Sequence, residues 1–122
     1  MKMGTFADLI ARGEFCANEG RLVDALLYFG QAMRVTPTAS EPRLRLGKIL
    51  AQLGRTRDAL QVWKEAAGVA PNAIPIHEAL ADCLLGVGDF NAAKAEAGLV
   101  LQARPGDARA LLAAALAGLG GD

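Results

Sequence analysis

Gly54–Pro71, GRTRDALQVWKEAAGVAP, is the stretch whose reading decides the fold. It is written three times. Gly20–Pro37 reads GRLVDALLYFGQAMRVTP and Gly88–Pro105 reads GDFNAAKAEAGLVLQARP, each offset from its neighbour by 34 residues. The first two copies agree at 8 of 18 positions, where average composition predicts about one. A fixed period of this size is the signature of a repeat architecture, in which each unit buries its apolar face against the next.

Single columns show what the repeat is made of. Gly20, Gly54 and Gly88 recur in phase, as do Ala25, Ala59 and Ala93, and Pro37, Pro71 and Pro105. Upstream, Gly13, Gly47 and Ala81 form a small-residue column, and Cys16, Leu50 and Leu84 an apolar one. Within the second copy Leu46, Leu50 and Leu53 are spaced by four and three, and Ala59, Leu60, Trp63, Ala66 and Ala67 repeat that spacing beyond Gly54. Such intervals mark two amphipathic helices per copy. The Gly between them suits the left-handed residue that ends a helix. The Pro stops the second helix, because it cannot continue the hydrogen-bond ladder. The two small columns predict close approach of neighbouring helix backbones. Seven helices are predicted, at 5–18, 22–34, 40–52, 56–68, 74–86, 90–102 and 108–119, with Thr5 (with Asp8), Ser40 and Asp107 as N-caps.

These columns resemble the tetratricopeptide repeat, whose 34-residue unit carries a Gly, an A-x3-F pair, a later Ala and a Pro. The second copy reads Leu46-Gly47-x2-Leu50, Gly54, Ala59-x3-Trp63, Ala66, Pro71. The first reads Gly13-x2-Cys16, Gly20, Ala25-x3-Phe29, Ala32, Pro37, and the third departs at Ala97, where the others hold an aromatic ring. The column where the family prefers Trp holds Leu9, Arg43 and His77. The resemblance implies an all-α fold, a right-handed α-solenoid of antiparallel helix pairs. One domain, 1–122, is expected, with repeats at about 6–39, 40–73 and 74–107 and a capping helix at about 108–119.

Composition narrows the function. Of 122 residues 25 are alanine, which favours helix. Thirteen basic residues balance thirteen acidic ones, so no basic stripe invites nucleic acid. RNA-binding helical repeats would need such a stripe. No run of 18 apolar residues exists to span a bilayer, and the start, MKMGTFADLIARGEF, has no signal-peptide pattern. The only Ser (Ser40), the only His (His77) and the two Cys (Cys16, Cys83) do not cluster, so no catalytic residue, metal site or cofactor is expected. Trp63 and Tyr28 fall on apolar stripes and are expected in the core. The glycine-rich end GLGGD at 118–122 lacks the strand and the Gly-Lys-Ser/Thr of a phosphate loop. With no disulfide framework, the expected compartment is the cytoplasm.

The expected function is therefore a non-catalytic protein–protein interaction scaffold or adaptor. Alternatives are a small chaperone for an exported or assembling protein, or a segment excised from a larger repeat protein. The resemblance implies a concave groove lined by the first helix of each pair, which gives Ile10, Glu14, Asn18, Leu44, Arg45, Lys48, Gln52, Glu78, Asp82 and Leu85 as partner-binding residues. The family's clamp for a peptide's terminal carboxylate falls on Ile10, Glu14, Arg45, Pro75 and Ala79, of which only Arg45 is basic, so the clamp is absent. Counted by charge, the groove favours a segment with apolar anchors and some positive charge. On the last helix Leu111, Ala114 and Ala115 are expected to pack on the preceding pair. That leaves Leu112, Leu116 and Leu119 as an uncovered stripe, expected to dock against a second copy in a homodimer or against further C-terminal repeats.

Overall fold

A computed structural model describes residues 4–120; Lys2 and the end of the glycine-rich tail, at Gly121 and Asp122, lie outside them. Seven α-helices follow in order: α1 (Phe6–Asn18), α2 (Leu22–Val35), α3 (Glu41–Gln52), α4 (Thr56–Val69), α5 (Ile74–Val87), α6 (Phe90–Ala103) and α7 (Ala108–Gly120). No strand occurs among the described residues. Every boundary lies within one residue of its predicted place.

The helix ends explain this agreement. Gly20, Gly54 and Gly88 have φ of 77°, 81° and 85°, a region costly for any residue with a Cβ. At each, the residue after the Gly donates its N–H back across the turn: Arg21 to Cys16, Arg55 to Leu50 and Asp89 to Leu84, at 2.8, 2.8 and 3.0 Å. The Gly itself donates to Ala17, Ala51 or Leu85. This pair of bonds satisfies the last carbonyls and turns the chain into the second helix. At the other end Thr5 and Asp8 form a reciprocal capping box, and Asp107 accepts from the Ala110 N–H at 2.9 Å.

Ser40 does not cap. Its backbone is already helical (φ −83°, ψ −24°) and its side chain makes no capping bond. Pro42, in the first turn, has no N–H to offer it. Arg43 fastens this turn instead, donating from Nη1 to the carbonyls of Pro37 and Ala39 at 2.7 and 3.2 Å.

The chain divides into two compact units, residues 1–70 and 71–122. In the first, α1 packs on α2, α2 on α3 and α3 on α4. Its core joins Leu9, Ile10, Cys16, Ala25, Phe29, Ala32 and Ile49. Both small columns do their work here. A Cβ placed on Gly13 would lie 2.5 Å from the Phe29 ring, and one on Gly47 would lie 2.5 Å from Trp63 Cε2. Ala25 and Ala59 are fully buried. In the second unit α5 packs on α6, and α7 packs on both. Ala81, Ala97 and Ala113 form one cluster, with Leu85 and Ala114 against it.

The face on which α7 packs differs from expectation. Ala110, Ala113 and Ala117 are buried, Ala114 is half-buried, and Leu111 and Ala115 are exposed. The reason lies in the repeat. Leu111 and Ala115 share columns with Leu9 and Gly13 of the first copy, and Gly13 sits against Phe29 of the second helix of its own pair. No helix follows α7 among the described residues, so that face has no cover. The buried alanines occupy the columns that face the preceding pair.

Candidate partner-binding site

In the first unit α1 and α3 flank a pocket of about 240 Å3. Glu14, Ala17 and Asn18 come from α1, and Arg45, Lys48, Ile49 and Gln52 from α3. Phe29 of α2 completes the floor. The helical period explains the grouping: Glu14, Ala17 and Asn18 are spaced by three and four, as are Arg45, Lys48, Ile49 and Gln52, so each set lies on one side of its helix. Of the expected groove residues, Glu14, Asn18, Arg45, Lys48 and Gln52 meet here. The pocket's apolar floor, Phe29 and Ile49, was missed from sequence: Phe29 belongs to the aromatic column it shares with Trp63, Ile49 was not singled out, and both are almost fully buried. Each shows the pocket only an edge.

Five expected residues stand elsewhere: Glu78 and Asp82 on α5, and the apolar Ile10, Leu44 and Leu85. Ile10 is buried in the core with Phe29 and Ile49 rather than lining a groove. An apolar branched side chain at the junction of α1, α2 and α3 gains more from burial than from facing water. Leu44 is half-buried, and its carbonyl accepts the Trp63 indole N–H at 3.1 Å. In the second unit Leu85 is half-buried against Ala81, Ala97 and Ala113.

Electrostatics change more than position does. Arg45 reaches Glu14 at 2.7 Å and Glu41 at 3.9 Å. Within the second unit Arg104 holds Glu78 at 3.0 Å, and Arg109 holds Asp82. The three expected groove acids, Glu14, Glu78 and Asp82, and Glu41 beside them each face an arginine. These pairs are at least partly exposed and contribute little stability, ~0–1 kcal/mol each; their effect is on the field a partner meets. Lys48, exposed at the pocket, has no ion-pair partner among the described residues. Lys48 is therefore the charged residue of the α1–α3 pocket that stands outside an ion pair among the described residues. The Glu78–Asp82 surface of α5 offers a cavity of only about 10 Å3, at the lower limit for a single water.

The remaining chemistry-bearing residues have structural partners. His77 is buried, with Nδ1 2.6 Å from Glu96 Oε2 and Nε2 donating to the Pro71 carbonyl at 2.6 Å. With both ring nitrogens engaged, it has none left to activate a nucleophile. Trp63 is in the core, and Tyr28 packs against it half-buried. Cys16 and Cys83 are thiols, Cys16 buried. No group of three potential metal ligands occurs among the described residues, and no helix there is long and apolar enough to cross a membrane.

A family model for the tetratricopeptide repeat matches residues 17–83. No curated protein matches the chain by sequence. Among solved structures, MamA from Desulfovibrio magneticus is 28% identical with a TM-score of 0.89, over 99% of this chain and 69% of that one. The first tetratricopeptide repeat domain of Spaghetti (RPAP3), bound to the HSP90 peptide SRMEEVD, is 13% identical with a TM-score of 0.87, over 93% and 90%. The TPR2B domain of yeast Sti1, in complex with Hsp70, is 12% identical with a TM-score of 0.83, over 93% and 96%. The last two likenesses are of fold alone.

Proposed function

Because the chain belongs to the tetratricopeptide repeat family, we propose that it is a non-catalytic protein–protein interaction module that holds a segment of a partner protein over α1 and α3. The observation that carries the reading is the pocket itself: an apolar floor of Ala17, Phe29 and Ile49 rimmed by Asn18, Lys48 and Gln52. That combination suits an extended or helical segment with one apolar anchor and a hydrogen-bond acceptor or carboxylate beside Lys48. On this reading the functional chain is one domain of three repeats, 6–39, 40–73 and 74–107, with 108–119 as cap. The thiols of Cys16 and Cys83 fit a reducing compartment, the cytoplasm.

The likeness to the domains solved with HSP90 and Hsp70 is one of fold and names neither a partner nor a manner of binding for this chain. The positions of the carboxylate clamp hold Ile10, Glu14, Arg45, Pro75 and Ala79; Ile10 is buried and Arg45 is tied to Glu14. The test is affinity capture from native cells with wild-type and Lys48→Glu chains, read by mass spectrometry, followed by titration of the captured protein. The substitution should weaken that complex about tenfold or more, since it reverses the unpaired charge at the pocket, with the melting temperature unchanged. A captured partner that binds both chains equally would place the contact elsewhere.

A further inference from the structure

We infer that the open face of α7 is a self-association surface on which a second copy of this chain supplies a covering helix that α7 does not have among the described residues. In the first two repeats the first helix is covered by the second helix of its own pair, as Gly13 is by Phe29 and Gly47 by Trp63. The equivalent face of α7 has no such cover among the described residues. Leu111, Leu112, Leu116 and Leu119 are 50%, 59%, 43% and 81% exposed. Their exposed surface is on the order of 400 Å2, the size at which a monomer's apolar patch is commonly a contact site.

Two properties of the face select a second copy over a foreign chain. First, it carries no charge. From Ala110 to Gly120 there is no ionisable side chain, and Arg109 at the start of α7 is held by Asp82. Two copies can therefore meet without like-charge repulsion, and no fixed charge there would select a different partner. Second, the face is complementary to itself. Leu111, Ala115 and Leu119 run down its middle at intervals of four, with Leu112 beside them. An antiparallel pairing of two α7 helices centred on Ala115 brings Ala115 level with Ala115 of the second copy. Leu119 then comes level with Leu111 of the second copy and enters the space beside its Leu112. The small side chain at the centre permits close approach, and the leucines close each end. That is an isologous two-fold contact, in which each copy supplies the other's covering helix. The area is about half the ~800 Å2 per partner of a standard interface, so the expected dimer is weak and reversible, with dissociation in the micromolar range.

Sedimentation equilibrium of the purified chain, from micromolar to millimolar concentration, is the first measurement. A monomer–dimer equilibrium is expected, and Leu112→Glu should raise the dissociation constant about tenfold or more. Leu112 is exposed, so this change should leave the helical circular dichroism spectrum as it was. The register is tested separately by oxidative cross-linking. Ala115→Cys should give a covalent dimer. Leu111→Cys should not, because the two copies of residue 111 would lie about 12 Å apart along the helix axes, beyond the ~7 Å a disulfide spans. A wild-type chain that stays monomeric at millimolar concentration, or a dimer indifferent to Leu112→Glu, overturns the inference. Cross-linking through residue 111 but not 115 overturns the proposed pairing.

Discussion

Gly47→Ala should destabilise the protein, although the same change in an open part of a helix stabilises it. Gly47 lies inside α3, where replacing Gly by Ala gains ~1 kcal/mol of helix propensity. The added Cβ would sit 2.5 Å from Trp63 Cε2, against the ~3.5–4.0 Å at which carbon atoms are in favourable contact. The indole must retreat by roughly 1 Å. It has little room, being 5% exposed, and its N–H is bound to the Leu44 carbonyl at 3.1 Å. Overpacking of this kind costs ~1–3 kcal/mol, and a strained or lost hydrogen bond adds ~1 kcal/mol. Set against the propensity gain, the net loss is ~1–3 kcal/mol. Gly98→Ala is the matched control. Gly98 lies within α6, and a Cβ there would meet nothing within 4 Å, so a gain of ~0.5–1 kcal/mol is expected. Trp63 is the only tryptophan, so its fluorescence during urea unfolding reports on the first unit directly. Each kcal/mol should move the melting temperature by about 3–5 °C for a chain of this length. Equal stabilisation by Gly47→Ala and Gly98→Ala would refute the argument that Gly47 exists to admit the Trp63 ring.

His77→Leu should cost ~2–4 kcal/mol in urea unfolding monitored by circular dichroism, because it strands the Glu96 carboxylate and the Pro71 carbonyl without their donor; a neutral outcome would mean that water serves both groups equally well. A peptide with an acidic C-terminus should bind no more tightly with its terminal carboxylate free than amidated, measured by calorimetry, since the residues of the carboxylate clamp are missing; a clear preference for the free carboxylate would show that Lys48 and its neighbours form a clamp of their own.

The amino-acid sequence by itself determined the repeat, the helices and where they end. Those features are local: the turn at Gly20, Gly54 and Gly88 is closed by bonds spanning five residues or fewer, and an apolar stripe is legible at intervals of three and four. The small columns were also legible, because a Gly facing an aromatic ring recurs in phase, Gly13 with Phe29 and Gly47 with Trp63. Even so, Ser40 shows a limit at this level, since a capping residue two positions before Pro42 finds no N–H in the second helical position to bind. Only the tertiary structure decided which side of a stripe is covered and which charges are free. Ile10 and Leu112 share one column, yet Ile10 is buried and Leu112 exposed, because α1 is followed by the second helix of its own pair and by α3, and no helix follows α7 among the described residues. Glu78 and Asp82 meet arginines 26 and 27 residues further along the chain, and no spacing rule within a helix reaches that far. Counting charges along the chain made the groove acidic. Folding pairs those acids with Arg45, Arg104 and Arg109 and leaves Lys48 unpaired at the pocket, because an ion pair depends on which helices lie side by side.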